Sequence, residues 1–286
     1  IMGLLTACGS EKTLDEKLLD QITKLNLSPE DAKKLIRNFK QKDHTKIYKY
    51  KHGRSNKFKI AIVGDVHIGN KSCNKEALKD FYKRAHEQHG VTKFYQVGDL
   101  TDGLHVHRGM VYEQYAVGLD AQVEDLVKHY PELKGCTTYF ITGNHDLWSH
   151  SNVGVDLGSI VEAKRDDMIY LGPEQADIKV AKNTTLRLLH PGGGSSYALS
   201  YKPQKIIEAM SGGEKPNILA IGHYHKMLQM FYRNVHVFMA GTFCEQTPFM
   251  RRNGLAAHVG SWIVEGKSND KGISEIMGKF IPYYEG

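Results

Sequence analysis

The sequence predicts an α/β protein, and three observations carry that prediction. Short, β-rich apolar runs at 60–63, 94–97, 138–142, 185–189 and 218–221 read as strands. Helical periodicity at 75–88, at roughly 109–129 and at 203–210 falls between them, and strand alternating with helix is the α/β pattern. Every one of these strand runs also stops at a polar motif, four of them opened by Gly64, Gly98, Gly143 or Gly222.

In chain order, residues 13–40 read as two helices. Thr13 and Glu16 form a capping box, and Leu14, Leu18, Leu19, Ile22 and Leu25 share one face. Ser28 caps the second helix, with Pro29 at its first position, and Leu35, Ile36 and Phe39 form its apolar side. A pair this short cannot hold a core alone, so it is expected to dock on the main domain. The organisation expected is a helical pair and basic linker over 1–56, then that main domain over 57–286. Within it, Asn74 precedes the 75–88 helix, and Gly212-Gly213 closes the 203–210 helix. Segment 235–265, with Val235–Phe238 and Ser261–Val264, reads as added strands without helices between them.

Charge is unevenly spread. The net charge is +6, yet residues 33–59 hold eleven Lys/Arg against the single acid Asp43. A basic stretch carrying Tyr48 and Tyr50 suits a polyanion such as nucleic acid, with a solvated linker as the plain alternative. No run is long and apolar enough to span a bilayer, so integral membrane association is not expected. Four scattered cysteines without a CxxC pair argue against a zinc finger or a disulfide scaffold, and a cytoplasmic setting with reduced thiols is expected. Leu5-Thr6-Ala7-Cys8, followed by Gly9-Ser10, has the look of a lipoprotein processing site, which leaves a lipid anchor on Cys8 as the alternative.

The strand-end motifs carry the chemistry. In chain order they are Gly64-Asp65-Val66-His67, Gly98-Asp99 with Asp102, Gly143-Asn144-His145-Asp146, His190, and Gly222-His223-Tyr224-His225. In α/β sheets, sites gather beyond the carboxyl ends of strands, where these five motifs fall. Asp65 and His67 are two apart, so an extended chain would turn both one way, and the same holds for His223 and His225. Seven oxygen and nitrogen donors suit two divalent cations, and imidazole with carboxylate suits Mn, Fe, Zn or Ni, with manganese first. Such a pair activates water as hydroxide and clamps an in-line displacement at phosphorus.

This motif set resembles the calcineurin-like metallophosphoesterase superfamily across residues 60–225. The resemblance implies a four-layer α/β/β/α sandwich, here with a short N-terminal helical extension, and a site at one rim. It implies Asp65, His67 and His225 on one metal, Asn144, His190 and His223 on the other, and Asp99 bridging. It also implies a non-ligand role for His145, facing the phosphate, with Asp102 orienting it. Asp146 is assigned a structural turn role.

The metal core does not choose the substrate, because selectivity lives in the surrounding loops. Two segments offer aromatics and cations together: His190–Tyr197 continuing to Tyr201, Lys202 and Lys205, and Gln246–Arg252. His105 and His107 lie near the site in sequence, and a surface loop is their plain reading. With the basic segment, these favour a phosphodiesterase or nuclease acting on DNA, similar to the DNA-repair exonuclease and phage branch of the family. The alternative is a phosphatase or phosphodiesterase for a small molecule or phosphoprotein.

Overall fold

Two six-stranded sheets face each other across an apolar layer, and helices cover their outer faces. The computed structural model describes residues 46–283. The helical pair expected over 13–40 and the Cys8 segment lie outside the described residues. The first sheet runs β12 (Gly272–Pro282), β11 (Gly260–Asn269), β2 (Lys57–Val63), β3 (Lys93–Val97), β4 (Thr137–Thr142), β5 (Met168–Pro173). The second runs β1 (Tyr48–Lys51), β6 (Gln175–Ala181), β7 (Thr184–Leu189), β8 (Ile218–Ile221), β10 (Val235–Ala240), β9 (Met227–Tyr232).

Burial along β2 explains its sequence. Lys57 and Lys59 alternate with buried Phe58 and Ile60, and from Ile60 onward every residue is buried. The continuous stretch is where both faces of the strand are covered. Ile60, Ile62, Tyr95 and Val97 of the first sheet meet Ile178, Leu186, Ile218 and Phe238 of the second. Fully burying each such side chain contributes about 1.5–3 kcal/mol.

Helix α1 (Lys75–Glu87) starts where Asn74 accepts from the amide of Ala77 at 2.9 Å. Its Leu78, Phe81, Tyr82 and Ala85 face the first sheet, and Tyr82 stacks on Phe94 at 4.0 Å. Helices α2 (Leu119–His129) and α4 (Leu157–Lys164) complete that layer, after the short α3 (Trp148–Val153). On the second sheet's outer face, Ile207 of α5 (Tyr201–Ala209) packs with Leu219, Ile221, Val237 and Met239. The result is the α/β/β/α order. No helix among the described residues is long and apolar enough to cross a membrane.

Three expectations change. The helix expected over 109–129 is a 3-10 turn (Met110–Glu113) and then α2, separated by an extended Gln114. Gln114 bridges to Asn70, and Gly118 (φ +95°) starts α2 afresh, so a tertiary contact overrides the periodicity. Between the late strands lies a short helix, α6 (Pro248–Arg252), capped by Thr247 accepting from Met250 at 3.1 Å. Part of the basic segment is β-sheet. β1 pairs in parallel with β6, ahead of the boundary expected at residue 57, and β2 is central in the other sheet. Tyr50 donates to the Leu171 carbonyl at 2.9 Å and Tyr48 covers Gly172, so these tyrosines serve packing, while Lys49 and Lys51 stay exposed.

His52, just past β1, shares a hydrogen bond between its Nδ1 and the Tyr95 hydroxyl at 2.9 Å and packs on Tyr139 at 4.0 Å. Burial and the nearby Lys93 push its imidazole down from 6.5 to about 4. The unfolded chain therefore binds this proton more tightly. Stability held above pH 6.5 is lost as pH falls toward 4, by about 1–2 kcal/mol after allowance for screening at a half-buried ring. Urea unfolding should show a correspondingly flatter acid limb in His52→Gln. Identical pH dependence in the two proteins would refute the assignment.

Candidate metal centre

The ligand-bearing loops leave β2, β3 and β4 of one sheet and β7 and β8 of the other, and meet at one rim. The residues do not converge by strand alternation, as the two-residue spacing suggested. His67 (φ +54°), Asp99 (+50°), His223 (+74°) and His225 (+53°) all lie in the left-handed region, beyond their strands. Each such non-glycine residue costs about 1–3 kcal/mol, and strain of this kind collects at functional sites. Loop-to-loop bonds hold the conformation: the amides of Val66 and His67 donate to the Asp99 carbonyl at 2.9 and 3.0 Å. Two glycines allow the approach. A Cβ on Gly98 (φ +93°) would lie 2.6 Å from His190 Nδ1, and one on Gly143 would lie 2.3 Å from Asp99 Oδ1.

The donors form two adjoining groups. Ligand atoms of Asp65, His67 and His225 lie within 4.8 Å of one another, as do those of Asp99, His190 and His223. In the first group, His67 Nε2 is 3.0 Å from His225 Nε2, which is 3.2 Å from Asp65 Oδ2. In the second, Asn144 Oδ1 is 3.0 Å from His190 Nε2 and 2.9 Å from His223 Nδ1. Asp99 Oδ2 sits between the groups, 3.1 Å from His190 Nε2 and 3.8 Å from His67 Nε2. Two atoms about 2.1 Å from one ion and at right angles to each other are about 3 Å apart, the spacing seen here.

The outer partners set the tautomers. His190 Nδ1 donates to the Val97 carbonyl at 2.7 Å, and His223 Nε2 donates to the Gly193 carbonyl at 2.7 Å. His67 Nδ1 faces Asp102 Oδ1 at 3.3 Å. In the neutral rings each opposite nitrogen then presents a lone pair to the cluster, the arrangement of metal-binding histidines. Asp65 Oδ1 and His225 Nδ1 are buried without a hydrogen-bond partner among the described residues. Converging donor atoms and an orphaned buried carboxylate oxygen fit cations, which would give that oxygen the partner it lacks.

The carboxylates and imidazoles also act on one another's charge. Burial works against ionised Asp99, but His190, His145 and His67 hold its carboxyl well below the usual carboxylate range. Burial likewise opposes protonation of His190, yet Asp99 and then Asp65 lift it to about 10. Burial and the charge of Asp99 push Asp146 up to about 6. Asp146 accepts from the amides of Leu100, Thr101 and Gly143 at 2.8–3.1 Å, tying the second and third motifs together.

His145 and Asp102 come together through the main chain. His145 Nδ1 donates to the Asp102 carbonyl at 2.6 Å, while the carboxylate is 4.0 Å away. That carboxylate instead meets His67, Asn70 Nδ2 at 3.2 Å and Gln114 Nε2 at 2.7 Å. Asn70, Gln114 and Thr242, whose hydroxyl donates to the Asp65 carbonyl at 2.9 Å, were not apparent from the sequence. Asn70 comes three residues after His67, a weak signal, and the other two carry none.

Above the cluster opens a cavity of about 370 Å³. Gly193–Ser195 line one side, and Thr247, Phe249 and Met250 line another, so both loops singled out in the sequence reach it. His107 lines it as well and stacks on Phe249 at 4.2 Å.

The family model described as "Calcineurin-like phosphoesterase" matches residues 58–227. The chain belongs to this family. Among curated relatives, the DNA polymerase II small subunit of Methanothermobacter thermautotrophicus is 24% identical over 239 residues, covering 68% of this chain and 49% of the relative. That of Methanocaldococcus jannaschii is 24% identical, covering 69% and 40%. The chain thus spans about half the length, or less, of these relatives. Among solved structures, an archaeal phosphodiesterase aligns over 78% of this chain and 99% of its own, at 14% identity and a TM-score of 0.43. As a calcineurin-like phosphoesterase, the chain carries candidate ligands for divalent metal at the rim where the family's motifs lie.

Proposed function

We propose that this calcineurin-like phosphoesterase hydrolyses phosphodiesters of nucleic acid, DNA first, at a dinuclear metal centre. The observation that carries the reading is the convergence of the seven donors into two adjoining groups about Asp99. Asp65, His67 and His225 would hold one ion, Asn144, His190 and His223 the other, and Asp99 would bridge. Divalent cations there, manganese first and iron, zinc or nickel by the same donor chemistry, would acidify an attacking water and offset phosphoryl charge.

The chain's own residues do the rest. The carbonyl of Asp102 can only accept, so His145 Nδ1 carries a proton. Protonated at both nitrogens, His145 keeps that bond and passes its Nε2 proton to the leaving oxygen.

Three features support a nucleic-acid substrate. The cavity beside the cluster has an aromatic wall in His107 and Phe249, and Tyr197 on the glycine loop is fully exposed. Lys49, Lys51, Lys179 and Lys215 line a groove on the second sheet, a setting for a phosphate backbone. The curated relatives are named as subunits of a DNA polymerase.

Purified protein supplied with Mn²⁺ is expected to cleave bis-p-nitrophenyl phosphate and single-stranded DNA in preference to p-nitrophenyl phosphate and mononucleotides. Reversed preference, for a small monoester or a phosphoprotein, would overturn the nucleic-acid reading. Lys49→Glu with Lys51→Glu should weaken DNA binding and lower the slope of its salt dependence by about 2.

A further inference from the structure

Gln114 belongs to none of the strand-end motifs, yet it is built into the surroundings of the metal cluster. It is 4% exposed and lies in the extended link between the 3-10 turn and α2. Its Nε2 is 2.7 Å from Asp102 Oδ2 and 2.7 Å from the Gly103 carbonyl. Both of these neighbours only accept, so the amide must turn its NH₂ group to them. That orientation leaves Oε1 buried without a hydrogen-bond partner among the described residues. An unpaired buried acceptor is destabilising, and a side chain that only filled space would avoid it.

The main chain fixes this placement. Gln114 bridges to Asn70, and the residues on either side of it are tied to the same segment. The Glu113 carbonyl accepts from the Lys71 amide at 2.8 Å, and the Tyr115 amide donates to the Gly69 carbonyl at 2.9 Å. Asn70 Nδ2 in turn donates to Asp102 Oδ1 at 3.2 Å, so Asn70 and Gln114 hold one carboxylate oxygen each. The carboxylate held between them faces His67 Nδ1 at 3.3 Å, while His67 Nε2 lies 3.0 Å from His225 Nε2 in the first donor group.

We infer that Gln114 is a positioning residue for metal binding, which with Asn70 holds the Asp102 carboxylate against His67 Nδ1 so that Nε2 is the ligating nitrogen. The inference rests on the dinuclear reading and deepens it. A carboxylate at one ring nitrogen fixes the tautomer and orientation of the imidazole and makes the other nitrogen a stronger ligand. Asp102 then divides its work, its carboxylate serving His67 and its carbonyl holding His145. Among the seven donors, the carboxylate is paired with His67, so the effect falls on one ion.

The test is calorimetric titration of the metal-free protein with Mn²⁺. Wild type should bind two ions. In Gln114→Met, which keeps the length of the side chain and removes the amide, one Kd should rise about 10–100-fold, the range for losing an outer partner of a metal-binding histidine, and the other should hold. Asp102→Asn, which loses the charge and keeps the main-chain carbonyl, should weaken the same ion. The double variant should lose no more than Asp102→Asn alone, because Gln114 acts through that carboxylate. A reduced folded fraction lowers the number of sites and leaves each Kd in place, so partial unfolding does not mimic the effect. Two unchanged Kd values in Gln114→Met, equal weakening of both ions, or additive losses in the double variant overturn the inference and leave the dinuclear centre standing. Fewer than two Mn²⁺ bound by wild type overturns the dinuclear reading itself.

Discussion

Asp99→Ala is expected to abolish metal-dependent phosphoester hydrolysis, by about 10³-fold or more, and to lower bound metal below two ions per chain. The position of Asp99 sets the size of this effect. Its Oδ2 lies between the two donor groups, and its Oδ1 accepts from the His145 amide at 2.9 Å. One substitution therefore removes the proposed bridge, loosens the third motif from the second and leaves His190 without its carboxylate. Metal-derived charge stabilisation is worth several kcal/mol in such reactions. Asn144→Ala touches only one group through its Oδ1, so it should strip one ion and retain the other. Metal analysis by mass spectrometry alongside turnover of bis-p-nitrophenyl phosphate separates the two variants. Full metal content in Asp99→Ala would show that the bridge is misplaced.

His145→Ala should act differently, keeping both ions while losing about 10²–10⁴-fold in turnover, the range for removing a positioned general acid. Its ring reaches the cavity and its Nδ1 is tied to the Asp102 carbonyl, and neither contact belongs to the two ligand groups. The loss should be largest for a poor leaving group and smaller for p-nitrophenolate, which needs little protonation. The limb of the pH–rate profile that reports the acid should vanish with it. Loss of metal in this variant would instead make His145 a ligand.

Much of this site was legible because its donors fall in short motifs directly after strands. Asp65 with His67, Asn144 with His145, and His223 with His225 are local in sequence, and the ends of β2, β4 and β8 deliver them. The spacing argument named residues that the structure does bring together, but by an incomplete route, since the left-handed turns at His67, His223 and His225 do what strand alternation was expected to do. The partners of Asp102 were not legible. Its carboxylate is shared among His67, Asn70 and Gln114, and a short motif identifies a residue without saying which of its atoms points where. The 109–129 segment misled for a related reason: Gln114 leaves the helical path for a contact with Asn70, distant in sequence. Tyr48 and Tyr50 lie in a basic stretch read as suiting a polyanion, and they serve packing, because their neighbour β6 arrives more than a hundred residues later.

By itself the sequence determined the α/β class, the strand ends and the family's motifs, all properties written into short stretches of chain. The tertiary structure alone decided how five strands divide between two sheets, which atom of each donor faces its neighbours, and that Glu113, His107 and Phe249 share one cavity. The physical reason is that periodicity and motif spacing encode local geometry. The direction of a side chain and its company depend on contacts between segments whose separation along the chain carries no such signal.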